Sequence, residues 1–94
     1  MHGVIVHVTI DSNRGEEAKA ALNEVTVPRA KALAGFSKGT WLRSLQGDRG
    51  VSVLLFESEE AARAAVEEIR TLGPPPGAPV TLDDVDAFEV LAQA

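Results

Sequence analysis

Few side chains in this 94-residue sequence are equipped for chemistry. One histidine, His7, interrupts the apolar run VIVHVTI at 4–10. Imidazole titrates near neutral pH, so a histidine projecting from such a run into a pocket can act as a general base or anchor a ligand. The same residue can equally be a half-buried histidine satisfied by a carbonyl or water at a subunit interface. Trp41 and Arg43 lie two apart in TWLRSL and therefore share one face of a strand. An indole wall beside a fixed guanidinium fork suits a planar anion such as a phenolate or enolate. The plainer alternative is an edge-strand Trp packed at an interface with the Arg stacked on it. Phe36 is a further aromatic placed to stack against a ring.

Other chemistries are poorly provided for. The chain has no cysteine, which removes disulfides, thiolate catalysis and Cys-ligated metals. Two histidines, one of them His2 beside the terminus, do not supply a three-ligand metal set, so no metal and no cofactor are expected. The pairs Glu59/Glu60, Glu67/Glu68 and Asp83/Asp84 read as solvated faces, because adjacent helical residues diverge by about 100°. No nucleophile–base pair is legible. GFSKG and GDRG lack the spacing of a phosphate loop.

Charge narrows the partners. The formal net charge is −5, from 9 Lys+Arg and 14 Asp+Glu, which argues against a nucleic-acid partner. It is unevenly spread, with −2 over residues 1–24, +4 over 25–56 and −7 over 57–94. The basic middle would welcome an anionic small molecule, although scattered surface charge produces the same pattern. No apolar run approaches the roughly 18 residues of a membrane span. MHGVIVHVTI lacks the basic segment and cleavage site of a signal peptide, so a cytoplasmic protein without membrane attachment is expected.

The elements that must position these residues follow from periodicity. Residues 4–10 are strand-like, and DSNRG is a turn offering N-caps. Ala18, Ala21, Leu22 and Val25 recur at helical spacing behind Glu16 and Glu17, which suit the positive helix end. Pro28 is expected to break or kink this helix, with a short second helix over PRAKAL. A strand at 40–45, the turn 46–50 and a strand at 51–57 form a hairpin. Ser58 caps a helix with Ala62, Ala65, Val66, Ile69 and Leu72 as its buried stripe, ended by Gly73 and three prolines. A last strand is expected over 85–93.

The order β-α-β-β-α-β in one domain, 1–94, is the ferredoxin-like split βαβ arrangement, an α+β fold. Right-handed crossovers give an antiparallel sheet in the order 4-1-3-2. VIVHVTI and VSVLLF are nearly continuous apolar runs, as central strands should be, whereas TWLRSL and VDAFEV are mixed. Both helices cover one sheet face. A second face bearing Ile5, Leu54 and Phe56 would form an exposed apolar patch, and a second copy of the chain is its simplest cover. In that sheet the first and second strands are separated by the third, so His7 and Trp41 lie roughly 10 Å apart, a gap that a ring-sized ligand could bridge.

VPRAKALAGFSKGTWL (27–42), GVSVLLFESEEAARAAVE (50–67) and PPPGAPVTLDDVDAFEV (74–90) carry a resemblance that covers almost the whole chain. The sequence resembles the dimeric α+β barrel superfamily, and within it the small antibiotic-biosynthesis monooxygenases. The resemblance implies a homodimer in which each subunit holds a pocket between sheet and helices. It implies binding of a small aromatic or polyketide-like molecule, with oxidation of phenols by molecular oxygen without metal or flavin. Enzymes of the family commonly combine Tyr, Trp, Asn and Arg. This sequence has no tyrosine and offers Trp41, Arg43 and Asn23. Its haem-degrading members use a histidine on the second helix, and SEEAARAAVEEIR contains none.

Three expectations follow. In the first, Trp41 and Phe36 stack a planar substrate, Arg43 pairs with its developing oxyanion and His7 takes a proton. In the second, the same cavity binds or senses a metabolite without turnover. In the third, the cavity is filled by the protein's own side chains and the dimer is structural. The run of alanines at 61–65 either leaves room above the sheet or lets helix and sheet approach closely.

Overall fold

Strand β1 runs from His2 to Ile10, and its inward residues Val4, Val6 and Ile10 are buried. A computed structural model describes all residues, 1–94, and arranges four strands in the order β2-β3-β1-β4. This is the 4-1-3-2 sheet expected from right-handed crossovers, with the two apolar runs as its central strands. All three pairings are antiparallel.

After β1, a short turn over Ser12–Arg14 is capped by Asp11, whose carboxylate accepts from the Asn13 amide. Helix α1 (Gly15–Ala21) and helix α2 (Val27–Lys31) are not separated by a break. A π-helical segment, Leu22–Thr26, joins them, and the Val27 amide donates to the Leu22 carbonyl. Proline at 28 has no amide for the α-helical ladder, and the wider turn just upstream lets the chain continue in helical geometry. The expected interruption is therefore a change of pitch.

Strand β2 spans Phe36–Arg43, four residues earlier than the expected start at 40. It turns through a positive-φ Gly47 into β3 (Arg49–Phe56). Helix α3 (Glu59–Leu72) begins where expected, with Ser58 Oγ accepting from the Ala61 amide at 3.1 Å. It ends at Gly73, whose φ is +55°. Strand β4 spans Val80–Glu89 rather than 85–93. Its pairing shifts between His7 and Val8, so Asp83 is bulged out and accepts from Thr9 Oγ1 at 2.6 Å.

The core lies between the sheet and α3. Val4, Val6, Leu54, Phe56, Ala62, Ala65, Val66 and Val85 form one buried cluster. Phe56 is fully buried and meets Phe36 edge-on, with centroids 5.9 Å apart. Ala62 and Ala65 are 0% and 2% exposed, so the alanines of α3 serve close packing and leave no room. Gly35, at φ +74°, completes the fit: a Cβ there would lie 2.6 Å from that of Ala61.

Register corrects one expectation. Leu54 pairs with Val4 and Phe56 with His2, which places both on the helix side of the sheet, in the core. The uncovered face instead presents Ile5, Val51, Val53 and Leu55, half-buried, flanked by Leu42 and Phe88 at 55% and 51% exposure. That face is apolar as expected, with a different membership.

Candidate functional site

The helix side of the sheet is divided. Helix α3 packs directly on the β1/β3/β4 half, while α1 buries no residue at all. Between α1 and the sheet is a cavity of about 690 Å³, within the range of small-molecule sites. Val6, Val8 and Ile10 form its floor, and Ala18, Leu22 and Val25 line it from the helical arm. The proline loop, Gly73–Pro79, closes one side.

Two of the four candidate residues reach this space. Trp41 pairs across β2–β3 with Ser52, which pairs with Val6, so its indole lies on the cavity side. The ring lies over Gly39, where a Cβ would be 2.6 Å from Cη2, and any side chain at 39 would displace it. Arg43 extends to the start of α1, its Nη1 3.1 Å from the point a Gly15 Cβ would occupy. Arg43 has no hydrogen bond or ion pair within the chain, leaving its five donors for a ligand.

The other two candidates lie elsewhere. Phe36 is partly buried against the core through Phe56, outside the cavity lining. His7 pairs with Val51 and Asp84 and projects from the opposite, uncovered face, where it is exposed. One strand, β3, lies between its strand and that of Trp41, as expected. The intervening sheet, however, prevents a ligand on Trp41 from reaching its imidazole. Grouping His7 with Trp41 and Arg43 in one site is thus corrected by strand parity.

One end of the site is clasped. The Arg14 guanidinium pairs with the Glu17 carboxylate and also donates to the Gly77 carbonyl at 2.9 Å, fastening α1 to the proline loop. The hydrogen bond from Arg14 holds the Glu17 carboxyl below the usual carboxylate range and raises the guanidinium pKa in return. No group of three or more His, Cys, Asp or Glu is placed to hold a metal ion. The cavity lining contains no histidine.

Sequence reasoning missed Gly39, Arg29 and the proline loop as parts of the site. The spacing of Gly39 two before Trp41 was a usable signal, because a strand places them on one face. Ala18, Leu22 and Val25 gave no such signal, since an apolar stripe looks alike whether it packs or lines a cavity.

No family model matches this chain, and no curated protein matches it in sequence. Solved structures do match over its full length. MhuD from Mycobacterium tuberculosis, a heme-degrader solved with two hemes in its active site, has a TM-score of 0.71 at 23% identity, with 100% of this chain and 99% of that one covered. The monooxygenase ActVA-Orf6 of Streptomyces coelicolor, solved with the ligand nanaomycin D, has a TM-score of 0.63 at 16% identity, covering 99% and 89%. A dimeric ferredoxin-like protein from an uncultured marine organism has a TM-score of 0.69 at 15% identity, covering 100% and 98%. The chain has the ferredoxin-like α+β fold. Its structural neighbours include two proteins described as antibiotic biosynthesis monooxygenases, from Bordetella bronchiseptica and Deinococcus radiodurans.

Proposed function

We propose that this protein is a homodimer that binds a planar organic anion between α1 and the sheet and oxygenates it without a metal or flavin. The observation that carries the reading is an apolar cavity holding an indole and an unpaired guanidinium. Trp41 stacks the ring, and Arg43 pairs with the oxygen on which charge accumulates. An anthrone is a suitable test substrate. Loss of a proton to solvent gives its enolate, which Arg43 stabilises, and reaction with O2 places one oxygen on the ring carbon while the other leaves as water. The monooxygenase neighbour supports this class of chemistry. Heme chemistry is disfavoured because no imidazole lines the cavity.

The dimer is supported by the apolar face around Ile5, Val53 and Leu55, which a twofold copy of the same sheet would cover. His7, beside Asp84 on that face, would then lie at the interface. Phe36 would support the site from the core without touching a ligand.

Trp41 is the only tryptophan and there is no tyrosine, so emission excited at the red edge reports on the cavity alone. Quenching by a bound ring tests the site, and oxygen uptake with an anthrone tests the reaction. Native mass spectrometry should give twice 9.9 kDa. Quenching without oxygen uptake would establish a non-catalytic binding module, a reading favoured by the engagement of Glu17 with Arg14, which takes up one of the two carboxylates in the lining. A monomer would require another cover for the open sheet face.

A further inference from the structure

The charge around the cavity runs opposite to that of the chain. The protein carries −5, yet the charged side chains lining the cavity are Lys19, Arg29 and Arg43 against Glu17 and Glu68. Glu17 is already neutralised by Arg14. Of the nine Lys and Arg residues only Arg14, Arg63 and Arg70 pair with a carboxylate of the chain; the three in the lining are unpaired, as are Lys31, Lys38 and Arg49 outside it. In an acidic protein with carboxylates in excess, three free cations around one apolar space create a local field that favours anions.

The two guanidiniums are also well separated. Arg43 reaches Gly15 at the start of α1, while Arg29 projects from α2 at the far end of the same continuous helical arm. Gly15 and Arg29 are about 20 Å apart along that arm at 1.5 Å per residue. Arg43 already ends at Gly15, so only the Arg29 side chain, reaching back along the arm, can shorten that span, which leaves room on the order of a three-ring aromatic system bearing a substituent at each end. Arginine presents a planar fork that suits carboxylate and sulfonate groups, and both forks are free.

We infer that the ligand is an elongated planar aromatic dianion, with the anionic oxygen that Arg43 stabilises at one end and an acid group held by Arg29 at the other. This rests on the reading of the cavity as a ring-binding site and specifies its substrate class. Arg29 thereby becomes a specificity-determining residue, and the second acid group distinguishes the ligand from a simple phenol.

Three probes of one ring system separate the terms: anthraquinone-2,6-disulfonate, anthraquinone-2-sulfonate and uncharged 2-hydroxymethylanthraquinone, each titrated against Trp41 fluorescence. The dianion should bind about five- to tenfold more tightly than the monoanion, and added salt should narrow the gap. Arg29→Gln and Arg43→Gln should each bring the dianion to about the level of the monoanion, and the double variant should bring both toward that of the uncharged ring, with Lys19 keeping a small residual preference. Both arginines are exposed and unpartnered, so these variants should melt with the parent. Lys31→Gln, on the same helix and outside the lining, should change nothing. Equal affinities for dianion and monoanion, or an unchanged Arg29→Gln variant, would overturn the two-ended clamp while leaving ring binding intact. Failure of all three probes to quench would instead remove the cavity reading itself.

Discussion

Helix α3 and the α1/α2 arm cover the same face of the same sheet with opposite results. Helix α3 carries Ala62, Ala65 and Val66 against Leu54, Phe56 and Val85, and the small side chains bring helix and strands into contact. The α1 arm buries nothing until Ala30, and its apolar residues face open space above Val6 and Val8. Its ends are held instead of its middle. Arg14 fastens the start to the proline loop, and Ala30 with Leu33 anchors the finish near the core. A ferredoxin-like sheet thus divides its labour, one half supplying stability and the other a cavity, and residue size under each helix decides which.

Substitutions should break this division in a graded order. Phe56→Ala, deep under α3, should cost about 3–5 kcal/mol in urea unfolding, because it opens a hole and strips Phe36 of its partner. Matched insertions sharpen the contrast. Ala65→Leu should lose about 1–3 kcal/mol through overpacking. Ala18→Leu should change stability by less than about 0.5 kcal/mol while weakening ring binding to Trp41. Equal costs for the two would erase the distinction between the halves. Ser58→Ala removes the cap of α3 and should cost about 1 kcal/mol, read as a lower urea midpoint.

The smallest effect is electrostatic. Glu59, hydrogen-bonded to Arg63, and Glu17, bonded to Arg14, both have carboxyls held below their ordinary range. A depressed folded-state value means stabilisation present above the unfolded value and lost as pH falls through the folded one. Both sites are exposed and screened by salt. Glu59→Gln and Glu17→Gln should therefore each flatten the acid limb of a urea-midpoint-against-pH curve only slightly, and less so in high salt.

The sheet order was legible because the two central strands must be apolar on both faces, and VIVHVTI and VSVLLF are the only such runs. Register was not. Composition shows that Val51 and Ser52 point to opposite sides but not which side meets the helices, so the sequence alone does not distinguish the core position of Leu54 and Phe56 from a place on the open face. The start of β2 was hidden because Ser37, Lys38 and Gly39 are poor strand formers, yet Gly39 is there to make room for an indole. The start of β4 was obscured by Asp83 and Asp84, two residues that oppose a strand and are accommodated by a bulge. Trp41 and Arg43 were recognisable from their two-residue spacing. His7 was recognisable as unusual, but assigning it to the cavity required a parity that the sequence does not contain. Pro28 signalled an irregularity without revealing that a π turn would absorb it.

The bulge in β4 has a consequence for assembly. An outer strand exposes unpaired amides and carbonyls to any other strand that can align with it, and repeated pairing of that kind builds filaments. β4 presents Asp83, Asp84, Asp86 and Glu89 along that margin, and the extra residue at Asp83 spoils the spacing an incoming strand would need. Lateral growth is thereby penalised, whereas the apolar broad side remains free to close upon a twin. Neutralising those four carboxylates should therefore open a route to fibres, read as light scattering that grows with time in the variant and not in the parent.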